Sequence, residues 1–118
     1  MSGYRELNVW KESKKLAVTI YRITQAGAFG RDFGLRDQIR RAAVSIPSNI
    51  AEGDERGSNR EAVRFLYIAK GSLAELQTQL EIAYEIEYLN KQELTELLDA
   101  SATIGKMLGS LIKVRAKK

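Results

Sequence analysis

A long apolar repeat in the middle of the chain limits most strongly what this sequence can fold into. Apolar residues recur there with alternating spacings of four and three: Ala62, Leu66, Ala69, Leu73, Leu76, Leu80 and Ala83. Such spacing places every member on one side of an α-helix. Ser58 precedes the repeat and Glu61 follows three residues later, which is the pattern of a capping box at a helix start. We therefore predict a helix over about 59–88, on the order of 45 Å long.

Three further segments have the apolar periodicity of amphipathic helices. They cover about 4–25, 35–52 and 91–115, and Asn90 with Glu93 repeats the capping pattern before the last of them. Because the connections are only a few residues long, consecutive helices must pack as antiparallel neighbours. The sequence predicts an all-α protein with a single domain over 1–118, folded as an antiparallel up-down-up-down four-helix bundle.

Two local features complicate this pattern. Residues 27–34, GAFGRDFG, contain three glycines and are predicted to form the first connection. Pro47 lies inside the second predicted helix, where its missing amide and its ring cost about 3 kcal/mol. We expect that helix to bend or break near Ala43 and Val44.

The composition excludes several classes of chemistry. The chain has no cysteine and no histidine, so the usual ligands of zinc and haem and the usual proton carriers of catalysis are missing. We therefore expect no catalytic activity, no metal and no cofactor, and we assign Glu93, Glu96 and Asp99 to a solvated acidic face. No segment has the apolar length of a membrane span or the core of a signal peptide. This predicts a cytoplasmic protein without membrane contact.

The third predicted helix is apolar over a wider arc than its own core requires. In addition, two glycines leave one edge of the fourth predicted helix almost without side chains. The residues concerned are Phe65, Ile68, Ile82, Ile86, Gly105 and Gly109. Because a row of exposed apolar side chains is uncommon, we predict that they form a contact between copies of the chain. The alternative is a broad core stripe, with close packing at the glycines inside one bundle.

Charge is distributed unevenly along the chain. Residues 1–41 have a net charge of +5, residues 42–99 one of −6 and residues 100–118 one of +5. Candidate phosphate-binding residues in the two basic segments are Arg36, Arg40, Arg41, Lys106, Lys113, Arg115 and Lys117, with Lys11, Lys14, Lys15 and Lys118 in the same segments. If they converge, they neutralise phosphates and release counterions, which gives salt-dependent and largely sequence-independent binding. The alternative is a solvated face whose terminal cations complement a helix dipole.

A family resemblance rests on three long segments: YRELNVWKESKKLAVTIY (4–21), QIRRAAVSIPSNIAEG (38–53) and RGSNREAVRFLYIAKGSLAELQTQLEIAYEI (56–86). In these segments the chain resembles the four-helix-bundle proteins encoded within intervening sequences of bacterial 23S ribosomal RNA genes. The segment IGKMLGSLIKV (104–114) is similar to the carboxyl end of the accessory variability protein of diversity-generating retroelements, a more distant relative.

The resemblance implies a bacterial four-helix bundle that assembles into a ring-like homopentamer without known catalytic activity. In the retroelement relative, a positively charged surface engages nucleic acid and a reverse transcriptase. Carried over to this sequence, that property nominates Arg36, Arg40, Arg41, Lys106, Lys113 and Arg115.

Two functional hypotheses follow. The first is a non-enzymatic homo-oligomer, pentameric as the resemblance implies, that binds RNA or DNA backbones through a basic face. The second is a protein-interaction module with no nucleic-acid role, in which an acidic surface contacts a basic protein partner. The acidic residues considered for that contact are Glu81, Glu85, Glu93 and Glu96.

Overall fold

The chain folds into helices connected by short turns. The computed structural model describes residues 3–117, and within that range it contains no strand. After a 3₁₀ turn at Tyr4–Glu6, the helices are α1 (Asn8–Ile23), α2 (Gly27–Arg31), α3 (Phe33–Glu55), α4 (Asn59–Glu85) and α5 (Lys91–Ala116). The four long helices form the all-α antiparallel bundle that the sequence predicts.

The long helices surround one core in the order α1, α3, α4, α5, and the bundle measures 46 × 21 × 20 Å. Contact between α3 and α4 is the most extensive, whereas α1 and α5 share the least of the neighbouring pairs. We call the end where α1 and α4 begin the upper end, and the opposite one the lower end. The largest apolar side chains buried completely in the core are Ile20, Ile39, Ile46, Ile50, Leu76, Leu80, Ile104 and Leu108.

Side-chain caps fix where α4 and α5 begin. Asn90 Oδ1 accepts from the Glu93 amide at 2.7 Å, and Glu93 Oε1 accepts from the Asn90 amide at 2.9 Å. The predicted capping box before α5 is therefore confirmed. Before α4, Ser58 Oγ accepts from the Glu61 amide at 3.2 Å. The Glu61 carboxylate pairs with two arginines instead of returning to the Ser58 amide, so this second cap is only half of the predicted box.

The first two predicted helices differ from the observed ones at their ends. Leu7 is extended, with φ −75° and ψ 125°, so α1 begins at Asn8 and not at residue 4. Part of the predicted first connection is helical, because 27–31 form α2 and bury Phe29. Asp32 then caps α3 by accepting from the Leu35 amide at 3.1 Å. As a result, α3 covers 33–55 where the sequence predicts 35–52.

Helix α3 continues through Pro47 without a break. Pro47 is buried, and together with Ala17 and Tyr21 of α1 it lines a groove between α1 and α3. Packing against both α1 and α4 holds the turns on either side of the proline, and tertiary contacts of this kind override local helix propensity. The helix is therefore not interrupted at the position that the sequence indicates.

Gly53 allows a close approach between α3 and α4 near the upper end. A Cβ added to Gly53 would lie 2.6 Å from Phe65 Cβ and 3.3 Å from the backbone of Ala62. Lower in the same interface, the Ser45 and Ser72 hydroxyls share a hydrogen bond of 2.8 Å. Small residues thus let these two backbones pack tightly.

A hydrogen bond joins separate elements at the lower end. Tyr88, in the turn between α4 and α5, donates its hydroxyl to Asp32 Oδ2 at 3.0 Å. Its ring also packs against Phe29, with 5.4 Å between the ring centroids. The hydrogen bond to the Asp32 carboxylate raises the pKa of Tyr88 above the ordinary value of 10.0. Because Asp32 also caps α3, one carboxylate links the start of α3 to the turn before α5.

We expect Gly53→Ala to lower the free energy of unfolding by about 1–3 kcal/mol, because the added methyl group overpacks the α3–α4 contact. Gly71 is the matched control, since it lies inside α4 and a Cβ there would meet nothing within 4 Å. Gly71→Ala should raise the free energy of unfolding by about 0.4–1 kcal/mol. Urea unfolding followed by circular dichroism measures both changes, and similar effects of the two substitutions would contradict the close approach at Gly53.

Glu87 is the one non-glycine residue among 3–117 with a positive φ, 70°. It follows α4, which ends at residue 85 where the sequence predicts 88. The amides of Glu87 and Tyr88 donate to the carbonyls of Tyr84 and Ala83 at 3.0 and 2.8 Å, an arrangement that favours glycine at the left-handed position.

Glu87→Gly should therefore raise the free energy of unfolding by about 0.5–1 kcal/mol. The matched change Glu85→Gly, inside α4, should lower it by about 1 kcal/mol. Thermal unfolding of the two variants beside the unchanged protein is the measurement, and a reduced Tm for Glu87→Gly would show that the left-handed backbone is not a source of strain.

Candidate nucleic-acid interface

A groove between α1 and α3 is lined by positively charged side chains. It has a volume of about 430 Å³, and we call it the α1–α3 groove. Its lining residues are Lys14, Ala17, Val18, Tyr21, Arg22, Gln25, Val44 and Pro47. Within the described part of the chain, the lining therefore contains two cations and no carboxylate.

Arg40 adds a third cation at the edge of this groove. Its Nε donates to Thr24 Oγ1 at 2.8 Å, and its Nη2 donates to the Tyr21 carbonyl at 3.3 Å. The guanidinium carbon lies 4.4 Å from the centroid of the Tyr21 ring. Among residues 3–117, no carboxylate forms an ion pair with Arg40. These contacts orient its charge without neutralising it.

Helix α1 supplies its side of the groove through residues spaced by three and four. Lys14, Val18 and Tyr21 lie on the face beside α3, while the next residues toward the core are buried. Tyr21 is 42% exposed, and Lys14 Nζ lies 4.6 Å from the Trp10 ring centroid. An exposed aromatic ring between cations can contact bases as well as phosphates.

The three arginines predicted on α3 do not act as one cluster. Arg36 donates to a backbone carbonyl of α2 at 3.1 Å and pairs with Asp37 at 3.0 Å, so its charge is compensated. Arg41 lines a different cavity of about 140 Å³ together with Glu75 of α4. Of the three, only Arg40 borders the α1–α3 groove.

The predicted cations of α5 lie in its second half, toward the upper end. Arg115 pairs with Asp54 of α3 at 3.0 Å, and the two side chains are only 23% and 16% exposed. Lys106 lines an apolar groove of about 380 Å³ between α1 and α5. Lys113 and Lys117 are exposed. Arg115 is therefore a structural ion pair, whereas the three lysines remain available to a ligand.

Two of the predicted cations, Arg36 of α3 and Arg115 of α5, are far apart in one protomer. Arg36 and Asp54 are separated by eighteen residues of α3, about 27 Å at 1.5 Å per residue, and Arg115 pairs with Asp54. Arg36 and Arg115 thus cannot contact the same short stretch of a ligand in a single protomer. Lys118 lies outside the described residues.

Three exposed apolar side chains lie on one face of helix α4, with the exposed Glu75 midway between the first two. Ile68, Ile82 and Ile86 are 42%, 47% and 47% exposed, and we call them the α4 stripe. Phe65 is not part of the stripe, because it is 6% exposed and lies against Gly53. Two guanidinium groups cover its ring at 4.9 and 5.0 Å from the centroid. The stripe therefore contains three of the four apolar residues singled out in the sequence.

The two glycines of α5 have different surroundings. A Cβ on Gly105 would lie 3.4 Å from Leu73 Cδ2, whereas a Cβ on Gly109 would meet nothing within 4 Å. Gly105 thus belongs to helix packing inside the bundle. The space beside Gly109 is open in the bundle.

The acidic residues of the alternative hypothesis do not share one face. Glu81 and Glu85 are exposed on α4, whereas Glu93 and Glu96 line a cavity between α1 and α5. Among residues 3–117, no group of three or more acidic side chains is arranged to hold a metal ion. None of the helices in this range is long and apolar enough to cross a membrane.

A profile of the 23S rRNA-intervening sequence protein family matches residues 5–110. The chain belongs to this family. A similar solved structure is described as a protein with unknown function from the S23 ribosomal protein family of Bacteroides thetaiotaomicron VPI-5482. It is 28% identical, the similarity covers 89% of this chain and 95% of that one, and the TM-score is 0.82. Comparison with curated proteins gave no match.

In this member of the 23S rRNA-intervening sequence protein family, the matched range includes the α1–α3 groove and the α4 stripe. The matched range ends at residue 110, before Lys113 and the two predicted cations that follow it. Sequence reasoning did not select Arg22 or Tyr21 for the interface. Both residues lie seven or eight positions after Lys14, which places all three on the same side of the first helix. That side contains none of the buried core residues of the helix, and this spacing could have identified them.

Proposed function

We propose that this protein is a homo-oligomeric scaffold that binds nucleic-acid backbones through the α1–α3 groove. The observation that carries the proposal is the charge of the groove, which Lys14, Arg22 and Arg40 border and which no described carboxylate lines. Cations on a rigid helical surface neutralise phosphates and release counterions. Binding of this kind is salt-dependent and largely independent of sequence.

RNA is the first ligand to consider. The family name refers to intervening sequences of 23S rRNA, and the similar solved structure is assigned to a ribosomal protein family. The groove also contains apolar side chains and the exposed Tyr21 ring, on which unpaired bases can stack while the cations contact the backbone. Both features support a flexible RNA segment as the probe.

The α4 stripe supports assembly of several copies, with the pentamer as the size that the family resemblance implies. Glu75 is seven residues from both Ile68 and Ile82, and it lines the cavity between α3 and α4. The stripe therefore lies on the side of α4 that is next to α3. The α1–α3 groove lies on the other side of α3. Self-association through the stripe would bury apolar surface and leave the grooves open.

We expect Lys14→Gln combined with Arg22→Gln to weaken binding of a 23S-derived RNA, because two groove cations are removed. The slope of log affinity against log salt should fall by about 0.7 for each phosphate of a single strand that is no longer neutralised. The charge-matched control is Lys70→Gln with Lys91→Gln, two exposed lysines outside the groove. Filter-binding titrations at low and moderate salt measure all three proteins.

No binding at low salt, or affinity that does not change with salt, would overturn the nucleic-acid proposal. An equal loss of affinity in the control variant would remove the α1–α3 groove as the site. Lys106→Gln with Lys113→Gln measures the separate contribution of the α5 end. Material that co-purifies distinguishes the two hypotheses, since RNA supports the groove proposal and a basic protein supports an interaction module.

For the assembly, we expect Ile82→Lys or Ile86→Lys to reduce the mass of the purified protein toward that of the 13.3 kDa chain, because each places a charge in the buried contact. Val114→Lys is the control, since Val114 is exposed to a similar extent on α5. Sedimentation at micromolar concentration gives the masses. A monomeric unchanged protein, or the same reduction of mass with Val114→Lys, would contradict assembly through the α4 stripe.

A further inference from the structure

Two exposed aromatic rings lie near the lower end of the bundle, where α1 ends and α3 begins. Tyr21, in the last turn of α1, is 42% exposed, and Phe33, the first residue of α3, is 63% exposed. An arginine of α3 lies over each ring. The guanidinium carbon of Arg40 is 4.4 Å from the Tyr21 centroid, and that of Arg36 is 4.6 Å from the Phe33 centroid. The part of each ring that the arginine does not cover is open to solvent.

The two arginines lie next to each other between the rings. Arg36 and Arg40 are four residues apart on α3, so they occupy consecutive turns on one side of the helix, about 6 Å apart. Both guanidinium groups reach toward the segment that connects α1 to α3, since Arg36 donates to the Gly30 carbonyl at 3.1 Å and Arg40 to the Tyr21 carbonyl at 3.3 Å. Rings and guanidinium groups therefore alternate in the order Phe33, Arg36, Arg40, Tyr21, which we call the stacking row.

The stacking row has planar groups but little free charge. Asp37 pairs with Arg36 at 3.0 Å, so this guanidinium group offers a flat surface more than a charge. Among residues 3–117, no carboxylate forms an ion pair with Arg40. Aromatic rings and guanidinium planes are the groups on which proteins stack unpaired bases. The chemistry of the row therefore favours a base and not only a phosphate.

We propose that the stacking row binds unpaired bases, so that the protein selects single-stranded over double-stranded RNA. This inference rests on the proposed nucleic-acid function and specifies the form of the ligand. The bases of a duplex are paired and stacked on one another, so their faces cannot contact Tyr21 or Phe33, whereas those of a single strand can. The backbone of the same strand would continue along the α1–α3 groove, where Lys14 and Arg22 neutralise phosphates.

Recognition by charge alone would give no such selection. A duplex has a higher density of phosphates than a single strand, and its binding releases more counterions for each phosphate neutralised. A surface that recognises only charge therefore binds the duplex at least as tightly as the single strand. Tighter binding of the single strand would identify base stacking as the source of the selectivity.

The test compares an oligouridine of about twelve nucleotides, within the site sizes of single-strand binders, with the same strand paired to oligoadenosine. We expect the single strand to bind more tightly than the duplex at the same salt concentration. Phe33→Leu should weaken binding of the single strand by about five-fold or more, the loss expected for one stacked base, and should reduce the preference over the duplex. Because no charge is removed, the slope of log affinity against log salt should stay unchanged. Filter-binding titrations measure both quantities.

Two further variants serve as controls. Tyr67 of α4 is 56% exposed and has Lys70 Nζ 6.0 Å from its ring centroid, so Tyr67→Leu removes a similar ring outside the stacking row and should leave the affinity unchanged. Tyr21→Phe keeps the ring and should retain the preference for the single strand.

Equal or tighter binding of the duplex would overturn the stacking proposal, as would a loss with Tyr67→Leu equal to that with Phe33→Leu. Duplex binding that weakens with salt and with Lys14→Gln and Arg22→Gln would still support the α1–α3 groove as a phosphate site. Failure of the stacking row is therefore distinguishable from failure of the nucleic-acid function, in which neither probe binds.

Discussion

The close packing of α3 against α4 is the contact on which the rest of the bundle depends. Gly53 lets the backbones approach near the upper end, and the Ser45–Ser72 hydrogen bond joins the same helices lower down. With α4 on one side and α1 on the other, α3 remains helical through Pro47. A continuous α3 in turn places Arg40 beside the last turn of α1, where Thr24 and Tyr21 orient its guanidinium group.

Helix α1 separates two surfaces of opposite character. Its side toward α3 presents Lys14 and Arg22 to a groove without a described carboxylate. Its side toward α5 presents Glu12 to a cavity that also contains Glu93 and Glu96. The side of α1 toward α3 thus carries cations without a described carboxylate in the groove, whereas its side toward α5 carries both Glu12 and Lys15.

The helical architecture could be read from the sequence because it depends on periodicity, which is a local property. The apolar seam of α4 and the Asn90–Glu93 cap are examples. The interface was less predictable, because the availability of a charge depends on residues distant in sequence. Arg115 is compensated by Asp54, sixty-one positions away. Phe65 is buried because Gly53 of another helix leaves room for it.

Assembly of several copies would strengthen the long-range electric field that one protomer of modest net charge produces. One protomer has 19 basic and 15 acidic side chains, a net charge of +4, so its long-range field is small. Copies joined through the α4 stripe would each contribute one α1–α3 groove, and their fields would add. A strand bound in one groove would then meet the next at a high effective concentration. Because the groove lies on the far side of α3 from the stripe, such an assembly favours a long strand passing over its outer surface.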